Sequence, residues 1–424
     1  MRVMTHTVPA LAIFAGFAAP LFAQRARAVP MKESWRLEAA QSVFRAPHSL
    51  VAFGECQVWV ADAVAGLWRL GCEGGTPQLI GTQGLGQGEY QQPWELNSAG
   101  WDSVVLFDRA LQRGIVYAAD GAVVATREMR VPETSMGECA AIAYRGGVFR
   151  VWTNQFPDAA DPGALRSLVL AFKSLGIAHD TLAAFAGLPS VYWGSSFGGS
   201  RLAVPHQRRP YIAFLPDGGF IAGSNDDARI VVFDAAGHEL RAIALSLPVA
   251  QAVTNGDRDA YADSVRKITE RDMSVLHYNA PERAKYRAQI DTYLTEDVSF
   301  PARRQLFDRL VIDARGEALW VLASGTGKNY ARTWKVYDIA SGELRRRVTV
   351  PHTGAVAGAA ARDGSLYVAT IAAQPWRGLP TGRPIGSLSG RLRRPATNSL
   401  AGRPVLPSRR SLRHVRRAPR KTSG

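Results

Sequence analysis

Six segments of this chain repeat one pattern, and that recurrence limits the fold more than any single motif. An apolar strand runs into a glycine-containing turn, and a second, more strongly apolar strand follows. The segments are LVAFGECQVWVAD (50–62), ELNSAGWDSVVLFD (95–108), AIAYRGGVFRVWTN (141–154), YIAFLPDGGFIAGSN (211–225), LVIDARGEALWVLAS (310–324) and GAAARDGSLYVAT (358–370). Their turn glycines, Gly54, Gly100, Gly146, Gly218, Gly316 and Gly364, stand 46, 46, 72, 98 and 48 residues apart. Three intervals agree on a unit of 46 to 48 residues, and the two long ones contain insertions. A third strand, a turn and a fourth strand follow the pair, clearest in ARIVVFDAAGHELRAIAL (228–245). Four short strands per unit cannot bury both faces of one sheet alone. Radial stacking on neighbours covers them, which is the logic of a propeller blade. A β-sandwich with irregular loops is the plain alternative, and it does not explain a recurring unit length.

The stretch GTQGLGQGEYQQP (81–93) fits the same reading. Its glycines suit a tight crossing between units, Tyr90 suits the seam, and Pro93 suits a strand start, where no ladder donor is needed. A dinucleotide loop needs G-x-G-x-x-G running into a helix, and neither the spacing nor the context matches. With VWVADAVAGLWRL before it, this stretch resembles an NHL-type repeat, in full only in the first unit. FDAAGHEL (233–240) echoes that repeat's later turn. Similarity of pattern covers roughly residues 35 to 370. The chain resembles exported bacterial six-bladed propellers of uncharacterised function. That resemblance implies a fold and leaves activity open. The expected class is all-β: a six-bladed β-propeller at 34–375, with a helical insertion between blades four and five and an incomplete last blade.

The insertion is residues 248–302. Tyr261, Val265 and Ile268, with Asp272 or Met273, fall at helical spacing after a cap at Asn255 or Asp257. Pro281 suits the first turn of a second helix, with Tyr286, Ile290 and Leu294 on one face. Nine acids and seven bases across the insert exclude a basic membrane-binding helix. For ring closure, SWRLEAAQSVF (34–44) is expected as the outer strand of blade six. The C-terminal side supplies GAVAGAAAR (354–362) and SLYVATIA (365–372), and a third strand is missing.

Beyond that point the composition changes. Residues 371–424 hold 13 of the 51 Lys and Arg, seven prolines and no acid, so the remainder carries 38 basic against 36 acidic residues. The body is nearly neutral at +2, and +13 of the net +15 belongs to the tail. Residues 376–424 read as a disordered basic tail. The whole chain uses 44 Arg against 7 Lys, as GC-rich coding does, and the tail also reads as the product of a frameshift in such sequence.

The N-terminus carries Arg2, an apolar run over 8–22 and small residues that place cleavage after Ala23 or Ala28. Residues 1–28 therefore read as a signal peptide, with no transmembrane segment once it is removed and a periplasmic or secreted location. Nucleic acid is not an expected partner for an exported chain. The expected partner is an unknown small molecule, glycan or protein. Export permits a disulfide. In a hairpin centred on Val64, Val60 faces Trp68 and Cys56 faces Cys72, so the Cys56–Cys72 bridge is expected, with Cys139 free.

Catalytic motifs fail on context. GSSFG (194–198) presents Ser196 as G-x-S-x-G but lacks a following helical pattern. SGTGKN (324–329) lacks the P-loop spacing, and DRDAYAD (257–263) lacks a calcium loop's glycine. Asp62, Asp108, Asn154 and Asn225 close the second strands of four units. Gluconolactonase- and paraoxonase-like propellers hold calcium with such residues, whereas the simpler role is turn capping. No cofactor or metal is implied. The candidate binding rim is Trp193, His206, Arg208, Arg209 and Tyr211. The expected function is an extracytoplasmic binding or scaffolding propeller, the alternative a metal-dependent hydrolase or lyase with a channel site.

Overall fold

The computed structural model describes residues 28–30, 44, 47–71, 73–129, 135–155, 166–172, 179–187, 191–195, 198–202, 204–275, 278–324, 331–351, 355–363 and 365–371. Contacts divide the chain into Met1–Thr381 and Gly382–Gly424, and the second unit lies wholly outside the described residues. So do Cys72, Ser196, Gly364, residues 34–43, most of SGTGKN and the basic tail.

A short strand β1 (Ala28–Pro30) comes first. Sheet one is β2 (Pro47–Phe53), β3 (Gln57–Asp62), β4 (Gly66–Gly71) and β5 (Gly74–Ile80). Sheet two is β6 (Pro93–Ser98), β7 (Ser103–Asp108), β8 (Arg113–Ala118) and β9 (Val123–Glu128). Sheet three is β10 (Ser135–Arg145), β11 (Val148–Gln155), β12 (Arg166–Phe172) and β13 (Asp180–Ala186). A separate hairpin follows, β14 (Val191–Ser195) with β15 (Gly198–Leu202). Sheet four is β16 (Pro210–Phe214), β17 (Phe220–Ser224), β18 (Arg229–Phe233) and β19 (Glu239–Ala244). Helices α1 (Asn255–Val275) and α2 (Ala280–Thr292) come next, then a π-helical turn at Tyr293–Asp297. Sheet five is β20 (Phe307–Ile312), β21 (Ala318–Ala323), β22 (Ala331–Asp338) and β23 (Leu344–Pro351). A last hairpin pairs β24 (Ala355–Arg362) with β25 (Ser365–Ile371).

The five sheets are antiparallel meanders in sequence order. Their first strands touch in a closed cycle, β2 to β6, β10, β16, β20, β24 and back to β2. This is an all-β propeller. The expectation of six blades is corrected: five blades are four-stranded, and a two-stranded hairpin stands between blades five and one. The sequence count rested on the first strand pair, which recurs six times, whereas the second pair recurs five times. β1 pairs in parallel with β23, Val29 opposite Val348, and so extends sheet five.

The turn glycines recur for a backbone reason. Gly54, Gly100, Gly146, Gly218 and Gly316 all have positive φ, from 57° to 154°, where a Cβ is disfavoured. The glycines of the 81–93 crossing differ. Gly84 and Gly86 make room for Glu89, whose Oε2 would lie 1.9 Å and 2.9 Å from a Cβ at those positions. The Gly86 amide donates to that oxygen at 2.7 Å. No phosphate is needed to explain the motif: its anion is its own glutamate.

Each seam between neighbours is apolar. Trp59, Leu67, Tyr90, Leu106 and Tyr117 fill the first, and Phe107, Phe149, Val151 and Phe172 the second. Phe214, Phe220 and Ala222 join sheets three and four, while Ile221, Ile230, Leu319 and Tyr337 join four and five. A buried aromatic removes roughly 150–250 Å² from water, worth several kcal/mol gross at ~25 cal/mol/Å². Tyr90 also locks its seam: its hydroxyl donates to the Ile80 carbonyl at 2.9 Å and accepts from the Leu67 amide at 3.1 Å. The hairpin meets its neighbours with Val356, Ala359, Ala361, Leu366 and Val368 against sheet five and with Ala360 and Tyr367 against sheet one. With two strands in place of four, it offers those two seams less apolar area and so less stabilisation.

The helical insert forms as its spacing predicts. Asn279 caps α2 in a reciprocal box with Glu282, with Pro281 in the first turn. α1 is capped by Thr254, one residue before the expected position, through reciprocal bonds with Asp257. Tyr261, Val265, Ile290 and Tyr293 form the core of the pair, and the two tyrosine hydroxyls lie 2.9 Å apart.

Candidate functional site at the axis of the ring

Where sheets that are not neighbours meet, they meet at the hub. Glu95, on β6 of sheet two, accepts a hydrogen bond from the Ser49 hydroxyl of sheet one at 3.0 Å. Ser49 Oγ in turn accepts from the Leu96 amide at 3.0 Å, so the hydroxyl is held in one orientation. The positive field of Arg309, on β20 of sheet five, reaches the same carboxyl. Arg309 also donates to the Val356 carbonyl of β24 at 3.4 Å. Three sheets and the last hairpin thus bring a carboxyl, a hydroxyl and a guanidinium to one axial site.

The carboxyl is largely surrounded by protein, and Glu95 keeps some exposed surface. Burial pushes it up to about 8, against the lowering effects of Ser49 and Arg309. Desolvation outweighs both because Arg309 acts through space. Near neutrality the group is therefore mostly protonated.

The residues singled out in the sequence are placed as follows. Tyr211 packs against Phe307 with its ring tilted and the centroids 5.2 Å apart, donates its hydroxyl to the Asp308 carbonyl at 2.8 Å, and is held protonated by burial. His206 has a positive φ of 62° and feels Asp257, Arg304 and Asp308, with burial lowering its pKa. These two converge on Asp308. Arg208 turns instead to Ser224 Oγ at 3.2 Å and Asp226 at 3.7 Å. Arg209 contributes its backbone amide to Asn225 Oδ1 at 2.7 Å. Trp193 lies on β14, and its side chain is outside the described residues.

Asp62, Asp108, Asn154 and Asn225 act as latches. Asp62 accepts from the Val64 and Ala65 amides. Asp108, fully buried, accepts from the amides of Gln91, Gln92, Ala110 and Leu111. Asn225 bonds the Arg209 amide and the Gln207 carbonyl, and Asn154 accepts from the Ser167 hydroxyl at 2.6 Å. Asp108 and Asn225 tie the second strand of a sheet to the chain arriving at its first strand. Among the described residues, no group of three His, Cys, Asp or Glu is gathered as a metal would need. GSSFG falls in the β14–β15 hairpin, so the strand-to-helix elbow a nucleophile requires is not its setting. Cys56 is disulfide-bonded, and Cys72 lies outside the described residues.

No known family description matches the chain, and no curated protein does. Several solved structures are similar to this chain at low scores. An exported protein from Bacteroides fragilis, described as putative, is 12% identical, with 74% of this chain and 73% of that one covered at a TM-score of 0.39. A member of the DUF4221 family from Bacteroides vulgatus is 9% identical, covering 77% and 87% at 0.45. The Swd1 β-propeller domain of Myceliophteria thermophila is 10% identical, covering 77% and 95% at 0.35. At these levels the likeness carries no conclusion about activity.

Proposed function

We propose that the protein is an extracytoplasmic binding or scaffolding propeller that takes its ligand at a mouth of the ring. The observation that carries this is the axial Ser49–Glu95–Arg309 group. Apolar side chains would pack the hub at lower cost, since buried ionisable groups lose hydration. A polar hub suits a polar guest. The second reading, a metal-dependent hydrolase or lyase, loses support because Asp62, Asp108, Asn154 and Asn225 spend their side-chain oxygens on latches and caps. Bound-metal analysis, with lactone and ester assays run with and without chelator, separates the two. Metal in stoichiometric amount with chelator-sensitive turnover would overturn the binding reading.

The ring is read here as having six places, the sixth filled by its inner strand pair. The 1–28 leader and a Cys56–Cys72 bridge belong to the same reading, because export supplies the oxidising compartment a bridge needs. N-terminal sequencing of the exported chain checks the location, and an intact Met1 counts against it. Sequencing the gene past codon 370 checks the frameshift reading of the tail, and a confirmed frame removes it.

A further inference from the structure

The first turns of the sheets gather at the opposite end of the ring from the 206–211 segment. Trp101, in the β6–β7 turn, is half exposed, at 50%. Arg362, on β24, sits 5.1 Å from its ring centroid, and Arg315, from the β20–β21 turn, 5.8 Å. Sheets two and five are not neighbours, so Trp101 reaches over the axial mouth to meet them. Asp363 pairs with both arginines at 3.0 Å. Arg362 is nearly buried and anchors on the Phe53 carbonyl at 2.9 Å. Beside this group opens a cleft of about 490 Å³, whose lining includes Arg315, Arg345, Arg346, Asp313, Glu317 and Asp363.

The volume suits a small ligand, for which sites run from roughly 300 to 1,000 Å³. The formal charges of the lining cancel, three guanidiniums against three carboxylates. A polyanion or a polycation would meet as many like charges as opposite ones. What the cleft offers in density is planar forked donors and planar forked acceptors, and the half-exposed Trp101 indole stands beside it, packed against Arg315 and Arg362. Vicinal hydroxyls donate and accept at once, and match both kinds of fork. The C–H face of a pyranose is apolar enough to cover an indole. We propose that this mouth binds a neutral oligosaccharide, one ring stacked on Trp101 and its hydroxyls bridged to the Arg315–Asp363 pair. The assignment rests on the binding reading above and names its ligand class.

The test titrates the full chain with malto-, cello-, xylo- and mannohexaose, followed by tryptophan fluorescence and calorimetry. One of the four is expected to bind with a fluorescence change. Trp101→Ala should weaken it about tenfold or more, as losing ~1.4 kcal/mol does. Arg315→Gln should weaken it too, with the Tm of both variants near that of the native chain. Silence from all four sugars overturns the sugar assignment. Binding that survives Trp101→Ala unchanged overturns the site. Oligogalacturonate and a mixed peptide pool run alongside: a response to either of these alone overturns the sugar class while leaving the protein a binder.

Discussion

Replacing Glu95 by glutamine isolates a single titration. Glutamine keeps the side chain's shape, and its amide oxygen still accepts from Ser49, so packing is preserved while the ionisation is removed. In the folded chain the carboxyl is raised from 4.5 to about 8. The folded state therefore holds a proton that the unfolded state releases between those values. Its stabilising effect is complete below about 4.5 and is lost as pH rises through about 8. One proton is worth ~1.4 kcal/mol per pH unit at most. Because the residue retains some exposed surface, water at the hub reduces the total, and we expect on the order of 2–3 kcal/mol over the window. For a ring of this size that is roughly 3–6 °C in Tm. Thermal unfolding of both proteins from pH 4.5 to 8.5 gives the comparison. The two should agree near pH 4.5 and diverge above it, with Glu95→Gln the more stable by pH 8.5. Every other titrating group is common to both curves and cancels. Parallel curves would refute the raised pKa and, with it, the enclosed hub.

Further outcomes follow from the same geometry. Tyr90→Phe removes the hydroxyl that serves the Leu67 amide and Ile80 carbonyl, and urea unfolding should show a loss of about 1–3 kcal/mol; a loss below about 0.5 would mean that water takes its place. Asp257→Asn weakens the Arg304 pair, closest at 2.7 Å, that fastens the start of α1 to the segment before β20. Amide exchange should then quicken across 255–297 and stay unchanged in β20–β23, whereas uniform quickening would mean that the insert is integral to the ring. A non-reducing peptide map should join Cys56 to Cys72 and leave Cys139 open to alkylation; three alkylated thiols without reduction would remove the bridge.

What the sequence disclosed was what is local. Turn glycines need positive φ wherever the chain folds back, so five of them mark their sheets unaided. Pro281 announces α2 because a proline in a first turn depends only on its own backbone, whereas the Asn279–Glu282 box beside it emerged from the structure. The hub was not legible in the same way. Ser49, Glu95 and Arg309 are far apart in the chain, and only closure of the ring unites them. The signal available was a charge interrupting an apolar first strand, Glu95 in PWELNS and Arg309 in FDRLVI, and it gains meaning once the strands are superposed as equivalents. Trp101 gives no signal of its own for the same reason, since Arg315 and Arg362 lie more than 200 residues away. The β14–β15 hairpin is hard to see in the sequence because glycines and serines follow Val191, Tyr192 and Trp193.

The two-stranded hairpin sets where the structure gives way. A circle of equal wedges has no preferred point of rupture, but a circle with one thin wedge does. Denaturant should prise β24 and β25 out first, leaving the five full sheets as an open arc with two newly wetted flanks, one on sheet five and one on sheet one. Those flanks are complementary in kind, so concentrated, half-opened molecules should join end to end.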